Sequence, residues 1–232
     1  MRFSVTYDVT GPAELPIDYR AGFVSLIKTA LDKARSATSQ SIDTAPLSFA
    51  IRFDRRPIIK DKKIIIGSNV RLYVSSASLM LGTLLYNSLL SIKEFPIYDT
   101  QIANPLVSHI KEEQLKRDCV IFATLSPIVI RHYQKRDQHV LPNEEGFTES
   151  FQNALSEEWA LHNGDRLEDY GRISFEILKF KKVVMTHYGG LVLGFTGVLR
   201  MDAAPHVLKF FYQAGIGYRR SNGFGFVEVD VQ

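Results

Sequence analysis

The chain opens in alternation. Phe3, Val5, Tyr7 and Val9 share one side of Arg2–Val9, a period of two that predicts a strand. Gly11-Pro12 and Pro16 break it. Val24, Ile27, Leu31 and Ala34 then recur at helical spacing within Arg20–Arg35. Leu47–Phe53 and Ile58–Ile66 are rich in β-formers and are expected to meet as a hairpin across Asp54–Pro57. Alternation returns over Asn69–Ser75, and Ser76–Lys93 sets Ala77, Leu81, Leu84, Leu85 and Ile92 on one helix side. Extended chain follows to about Gln114.

The second half repeats that order. Cys119–Arg131 reads as a strand interrupted by Pro127, and Phe147, Phe151, Leu155 and Trp159 fall four apart, on one face of a helix. Arg172–Lys182 and Leu191–Leu199 are strands on either side of Tyr188-Gly189-Gly190. Pro205–Gln213 is a short helix with Pro in its first turn, and Phe224–Val231 closes the chain as a strand. The expected fold class is α+β, two tandem ferredoxin-like (βαββαβ, RRM-like) domains over residues 1–115 and 118–232. Only the order of elements repeats, not the residues.

Composition adds mostly exclusions. The 232 residues are 45% apolar, enough for packed cores, and the apolar runs stay as short as Leu191–Phe195, far below the roughly 20 residues of a membrane span. No apolar signal core follows Met1, so a soluble, cytoplasmic protein is expected. The single cysteine, Cys119, excludes an internal disulfide and a Cys-rich zinc framework. The six histidines lack the close spacing of a zinc helix, so no metal site and no cofactor are expected. Among them, His132 and His139 flank a polar loop, and His187 is expected at the surface.

The net charge of +3 is too small to implicate nucleic acid, but its distribution is uneven. Ala50–Tyr73 carries seven basic residues against Asp54 and Asp61, whereas Leu141–Tyr170 carries eight acids against Arg166. A polyanion is attracted to one region and repelled from the other. Arg52, Arg55, Arg56, Lys60, Lys62 and Lys63 are candidate phosphate contacts, and a charged edge that discourages strand aggregation is the competing reading. The helix with Glu157 and Glu158 is expected to be packed and solvated, its acidic flank available to a basic partner subunit.

The most informative stretch is Gly215-Ile216-Gly217-Tyr218-Arg219-Arg220-Ser221-Asn222-Gly223-Phe224-Gly225-Phe226. Four glycines within eleven residues allow positive φ and close backbone approach, so that amides could converge on a phosphate beside Arg219 and Arg220. Ser221 and Asn222 add short hydrogen-bonding groups, and Phe224 and Phe226 could pack beneath the loop or stack on bases. The loop follows a helix and precedes a strand, which excludes a dinucleotide fingerprint, and no Gly-Lys-Ser/Thr triplet supplies a Walker loop. A glycine-rich turn with two solvated arginines fits the residues equally well.

With Gly-x-Gly, a basic-polar insert and Gly-Phe-Gly, the loop resembles the C-terminal signature of the CRISPR repeat-processing endoribonucleases, the Cas-six family of the RAMP superfamily. Phe195-Thr196-Gly197-Val198-Leu199-Arg200, Phe210-Phe211-Tyr212-Gln213-Ala214 and Leu125-Ser126-Pro127-Ile128-Val129-Ile130 are similar to that family too. So are Met1-Arg2-Phe3 and Leu15-Pro16-Ile17-Asp18-Tyr19-Arg20, so the resemblance spans nearly the full chain. It implies a tandem ferredoxin-like fold and a basic face that binds CRISPR repeat RNA within precursor CRISPR RNA. It also implies metal-independent cleavage, in which the ribose 2′-oxygen attacks the adjacent phosphate to leave a 2′,3′-cyclic phosphate and a 5′-hydroxyl. Under that resemblance the RNA-binding candidates extend to Gly215, Gly217, Arg219, Arg220, Ser221, Asn222, Gly223 and Gly225. CRISPR effector-complex subunits and a second copy of the chain are the candidate protein partners.

Such cleavage needs a base, a cation and an acid around the phosphate. Many family members place a catalytic histidine in or just after the first helix. Here the first histidine is His109, and Ala34–Asp43 offers only arginine, hydroxyls, an amide and one carboxylate. Tyr19, Lys28, Lys33 and Arg35 are the candidate substitutes, each with a bland alternative: a packed tyrosine and solvated cations. A catalytically inactive protein that binds or delivers repeat RNA without cutting it is the alternative function.

Overall fold

The computed structural model describes residues 1–36 and 46–230; the stretch Ala37–Asp43, part of the segment expected to hold a catalytic histidine, lies outside them. In chain order the first half holds β1 (Arg2–Thr10), β2 (Glu14–Pro16), α1 (Tyr19–Ser36), β3 (Leu47–Phe53), β4 (Ile58–Lys60) and β5 (Lys63–Ile65). It continues with β6 (Asn69–Ser76), α2 (Leu79–Ser91), β7 (Glu94–Ile97) and β8 (Thr100–His109). The second half holds β9 (Cys119–Thr124), α3 (Phe147–Asn163), β10 (Ser174–His187), β11 (Gly190–Asp202), α4 (Pro205–Ala214) and β12 (Val227–Val229). Among the described residues the fold is thus mixed α+β, with four α-helices and three antiparallel sheets, ordered β3-β6-β1-β8-β7, β10-β11-β9-β12 and β2-β5-β4. Counting the main strands of each half by appearance, both large sheets run second, third, first, fourth.

Each half has its own core. The odd positions of β1 (Phe3, Val5, Tyr7) pack with Val70, Leu72 and Val74 of β6 beneath Phe23, Leu26 and Ala30 of α1 and Leu81, Leu85 and Leu89 of α2. In the second half Phe122, Phe195 and Leu199 pack with Phe151 and Leu155 of α3 and Phe211 of α4. The period of two puts Arg2 on the opposite face of β1, toward the second half, where it is fully buried. Its guanidinium donates to the carbonyls of Tyr212 (3.2 Å) and Val227 (2.8 Å) and lies 4.0 Å from the Tyr212 ring centre and 4.4 Å from that of Phe226. Ser75 Oγ donates to the Gln213 carbonyl at 2.7 Å beside it. The helix-free face of the first sheet is thereby docked on α4 and β12.

Two sequence expectations need correction. β3 does not pair with the Ile58–Ile66 stretch; it pairs with β6, Phe53 opposite Val70, and residues 54–68 form an excursion with a sheet of its own. Asp54 closes the excursion at its base, its carboxylate accepting from the Ser68 backbone N–H (3.0 Å) and hydroxyl (3.1 Å). β4 and β5 turn at Asp61 and Lys62, both with positive φ. The strand expected over Cys119–Arg131 stops at Thr124, because Pro127 has no N–H to donate; only Ile128 bridges β11 beyond it, at Phe195. By contrast, β10 and β11 are longer than expected, one hairpin closed at Tyr188-Gly189, where φ of 51° and 74° suits a tight two-residue turn.

Candidate nucleic-acid interface

The glycine loop follows α4 and folds onto the segment after β9. Gly217 has φ of +86°, and a Cβ there would stand 2.6 Å from the Val129 carbonyl oxygen. At Gly225 a Cβ would meet the Ile216 carbonyl oxygen at 2.1 Å. The glycines therefore serve close chain packing. Most of the amides expected to cradle a phosphate are already bonded inside the protein: Ile216 to Gly225 (2.8 Å), Tyr218 to Val129 (2.8 Å), Gly223 to Arg220 (3.0 Å) and Gly225 to Pro127 (2.8 Å). Phe224 and Phe226 are fully buried and present no face to a base. Ser221 is exposed and Asn222 half-buried.

The two loop arginines diverge. Arg219 adopts φ of 61°, a left-handed conformation that turns the chain into the short 3-10 turn Arg220–Asn222. Arg220 consequently points inward and pairs with Glu158 of α3, both side chains 12% exposed. Burial raises the Glu158 carboxyl pKa, but the contact with His162 Nε2 at 2.7 Å and the Arg220 charge hold it below the usual carboxylate range. Arg219 remains half-buried, with no side-chain hydrogen bond or ion pair among the described residues.

Arg219 instead joins residues from the start of α1 and the tip of the β10–β11 hairpin. Arg20 lies with its guanidinium 4.9 Å from the Tyr19 ring centre and 5.3 Å from that of Phe224, and it too lacks an ion pair among the described residues. His187 packs 5.5 Å from Phe224, ring centre to ring centre, and is 2% exposed, which corrects the expectation of a surface histidine. Its Nδ1 stands 3.6 Å from Asp18 Oδ1, too far for a hydrogen bond. The hairpin tip is tied to α1 by the Gly189 N–H, which donates to Asp18 Oδ2 at 3.3 Å. The Tyr98 hydroxyl donates to the Asp18 carbonyl at 2.9 Å.

Burial lowers the His187 pKa, Asp18 pulls it up, and Arg219 and Arg20 push it down again; the net shift is downward, toward the neutral imidazole. Burial also lowers the pKa of His139, reinforced by Arg219 and Arg131. Arg131 lies 5.0 Å from the Tyr218 ring centre, whose hydroxyl donates to Glu157 at 2.7 Å and is pushed up to about 12, mainly by burial. Arg131 and Arg219 thus share His139, and Arg219 and Arg20 share His187 where the halves meet. Beside Asp18 opens a cleft of about 600 Å³, lined in part by Phe95 and by the exposed rings of Tyr98 and Tyr188.

The residues singled out from sequence fall in several places. Tyr19 is at the junction, packed edge-on against Phe53 (5.4 Å) and Phe23 (6.5 Å). Lys28 and Lys33 are exposed further along α1, about 13 and 21 Å from Tyr19 at the rise of a helix, so the three do not converge. Arg35 pairs with Asp32 at 3.0 Å. On the excursion Arg56, Lys60 and Lys62 are exposed, Lys63 pairs with Glu14 (3.0 Å), and Arg55 donates to the Ile66 carbonyl (2.9 Å). Arg52 lies in a separate groove of about 240 Å³ on the helix-free sheet face with Thr6, Arg71 and Tyr73. Sequence reading missed Asp18, Arg20 and Arg131 as site residues. Asp18 and Arg20 stand in the N-terminal motif Leu15–Arg20, while nothing local marks Arg131.

Residues 110–229 match the sequence pattern of the family described as "CRISPR associated protein Cas6, C-terminal", just over half of the chain. The chain belongs to the Cas6 family. Over 181 residues it is 26% identical to the "Putative CRISPR-associated endoribonuclease-like protein Cas6" of Pyrococcus furiosus, covering 75% of this chain and 74% of that protein. It is equally identical over 181 residues to the protein of Pyrococcus horikoshii called "Putative CRISPR-associated endoribonuclease-like protein Cas6nc", covering 75% of each. Among solved structures, one described as "An RAMP protein binding different RNA substrates" shares the fold with a TM-score of 0.85 at 23% identity, with both chains fully covered. The match to the Cas6 C-terminal pattern runs from the end of β8 through β12 and so contains Arg131, His187 and Arg219. No helix among the described residues is long and apolar enough to cross a membrane.

Proposed function

We propose that this Cas6-family chain binds the repeat RNA of CRISPR precursor transcripts across the junction of two fused ferredoxin-like units, residues 1–115 and 118–232. One observation carries this reading. Arg20 and Arg219 meet at His187 where the halves join and Arg131 lies beyond them at His139, all three without ion pairs among the described residues, and the exposed rings of Tyr98 and Tyr188 flank the neighbouring Asp18. Unpaired guanidiniums suit a phosphate backbone, and exposed aromatic faces suit unstacked bases. The repeated strand order, second-third-first-fourth, supports the two-unit reading. RNA-binding protein is the function the geometry supports best, because Tyr19, Lys28 and Lys33 do not converge and His187 is sealed from solvent.

Cleavage within the repeat is the second reading, favoured by Tyr19 standing beside the unpaired Arg20. In that reaction the 2′-hydroxyl gives its proton to a base, O2′ bonds to phosphorus, the P–O5′ bond breaks and O5′ takes a proton. In-line positioning and charge stabilisation supply part of the barrier reduction without a metal. Incubating the protein with its own repeat RNA in chelator tests both readings. We expect a stable complex with uncut RNA. A fragment ending in a 2′,3′-cyclic phosphate establishes the cleaving reading, and no complex at all overturns both.

A further inference from the structure

We propose that Arg20 and Arg219, brought together across the two halves, form a seat for one phosphodiester group of RNA, and that His187 beneath them takes up a proton when the seat fills. The proposal rests on the RNA-binding reading above and adds a place and a proton to it. Both guanidiniums are unpaired among the described residues, yet neither is freely solvated. Arg20 is stacked on Tyr19 and Phe224, which hold its plane and leave its N–H edge without a protein acceptor. The Arg219 backbone is set by its left-handed φ and by the Asn222 N–H bonded to its carbonyl at 2.8 Å, and its side-chain Nε is buried. Two guanidinium forks without acceptors match the oxygens of a phosphodiester.

Below them lie buried polar atoms with no hydrogen bond: both ring nitrogens of His187, Asp18 Oδ1 and Arg219 Nε. Such atoms are rare in native proteins and each costs stability. Here they share one spot, and His187 is faced by Asp18 from the turn before α1, Arg20 from α1, Arg219 from the glycine loop and Tyr188 beside it on the hairpin. Burial favours the neutral imidazole, aided by the two arginines and opposed by Asp18. A phosphodiester on Arg20 and Arg219 offsets their repulsion and adds negative charge. The balance then tips to the imidazolium, and Nδ1–H can close the 3.6 Å gap to donate to Asp18 Oδ1. Up to one proton leaves solvent for each seat filled, the most between the free-state and RNA-bound pKa values, and no other bond changes. Affinity therefore rises as pH falls through the pKa of the RNA-bound state, and levels off below that of the free state.

The test measures anisotropy of labelled repeat RNA, and of an unrelated single strand of equal length, between about pH 5.5 and 8. Calorimetry in two buffers of different ionisation enthalpy counts protons taken up by the unaltered protein. We expect net proton uptake, tighter binding toward acid, and losses of roughly tenfold to a hundredfold in Arg20→Ala and in Arg219→Ala. His187→Gln should lose the pH slope and the proton uptake. Zero proton uptake overturns the role of His187 without recourse to any variant. Repeat RNA bound equally well by both arginine variants overturns the seat while the repeat-binding reading stands. If unrelated RNA binds as tightly, with the same proton uptake and arginine losses, the seat stands and the repeat reading falls. If neither RNA binds, both fall.

Discussion

Two regions of this protein are rich in cations, and they are built differently. In the excursion over residues 54–68, Arg56, Lys60 and Lys62 project into solvent, beside Ile58 and Ile59, which are themselves 63% and 71% exposed. At the junction and just beyond it, Arg20, Arg219 and Arg131 are half-buried, two of them laid on aromatic rings, and two histidines lie within their field. Formal charge is more abundant in the excursion. Preorganisation is greater at the junction, where little side-chain entropy is left to lose on binding and the surroundings strengthen each interaction. The excursion should attract RNA, and the junction should hold it.

The sharpest way to break the contrast is to remove what holds the junction in shape. Arg220→Ala leaves Glu158 buried beside His162 without its guanidinium, and losing one partner of a buried pair costs about 3–5 kcal/mol. Urea unfolding should show that loss, with RNA affinity falling as the loop loosens. Arg219→Ala, one residue earlier, should change the unfolding free energy by no more than about 0.5 kcal/mol, as a side chain without a partner does. Equal destabilisation by the two would mean that Arg219 is structural as well, and the distinction between scaffold and contact would fail.

A smaller effect is expected from the excursion. Neutralising Arg56, Lys60 and Lys62 together to Gln should reduce the slope of log affinity against log salt by about one for each phosphate left without its cation. Stability should not change, since none of the three has an ion pair among the described residues. The deficit in affinity should shrink toward nothing as salt is raised, because exposed charges are screened within about 10 Å at 0.1 M. A deficit that persists at high salt would place a fixed contact there and erase the difference between the regions.

The sequence carried some of this contrast and concealed the rest. Strand and helix periods are local, so β1, α1 and α4 could be read from Phe3, Val5 and Tyr7, from Val24 and Ile27, and from Pro205. The partner of β3 could not, because it lies beyond the excursion whose base the Asp54 carboxylate closes on Ser68. The glycine loop was visible as a composition, but whether its amides face a ligand or the protein depends on where Pro127 and Val129 lie. Neighbours Arg219 and Arg220 have the same chemistry in one dimension; a single positive φ sends one inward. His187 gave no local sign of burial, since the hairpin tip becomes an interior only by docking on Asp18.

The smallest expected effect concerns acid and the protein without RNA. His187 and His139 both have folded-state pKa values held below the ordinary value, chiefly by burial. Between that lowered value and the unfolded value near 6.5, the unfolded chain binds more protons, so stability rises with pH. Stability is therefore complete above about pH 6.5 and declines as pH falls through that value toward the folded one. The depressed carboxylates Glu157 and Glu158 act in the same direction but only below their own unfolded values, near 4.5, so the windows are separate. Melting temperature followed across both windows should show a shallow first step, reduced in His187→Gln and in His139→Gln and unaffected by the excursion variants. RNA should reverse that step, because a filled seat favours the imidazolium that the empty junction excludes. A first step that survives both histidine substitutions would move the titrating group away from the junction and leave the contrast resting on the arginines alone.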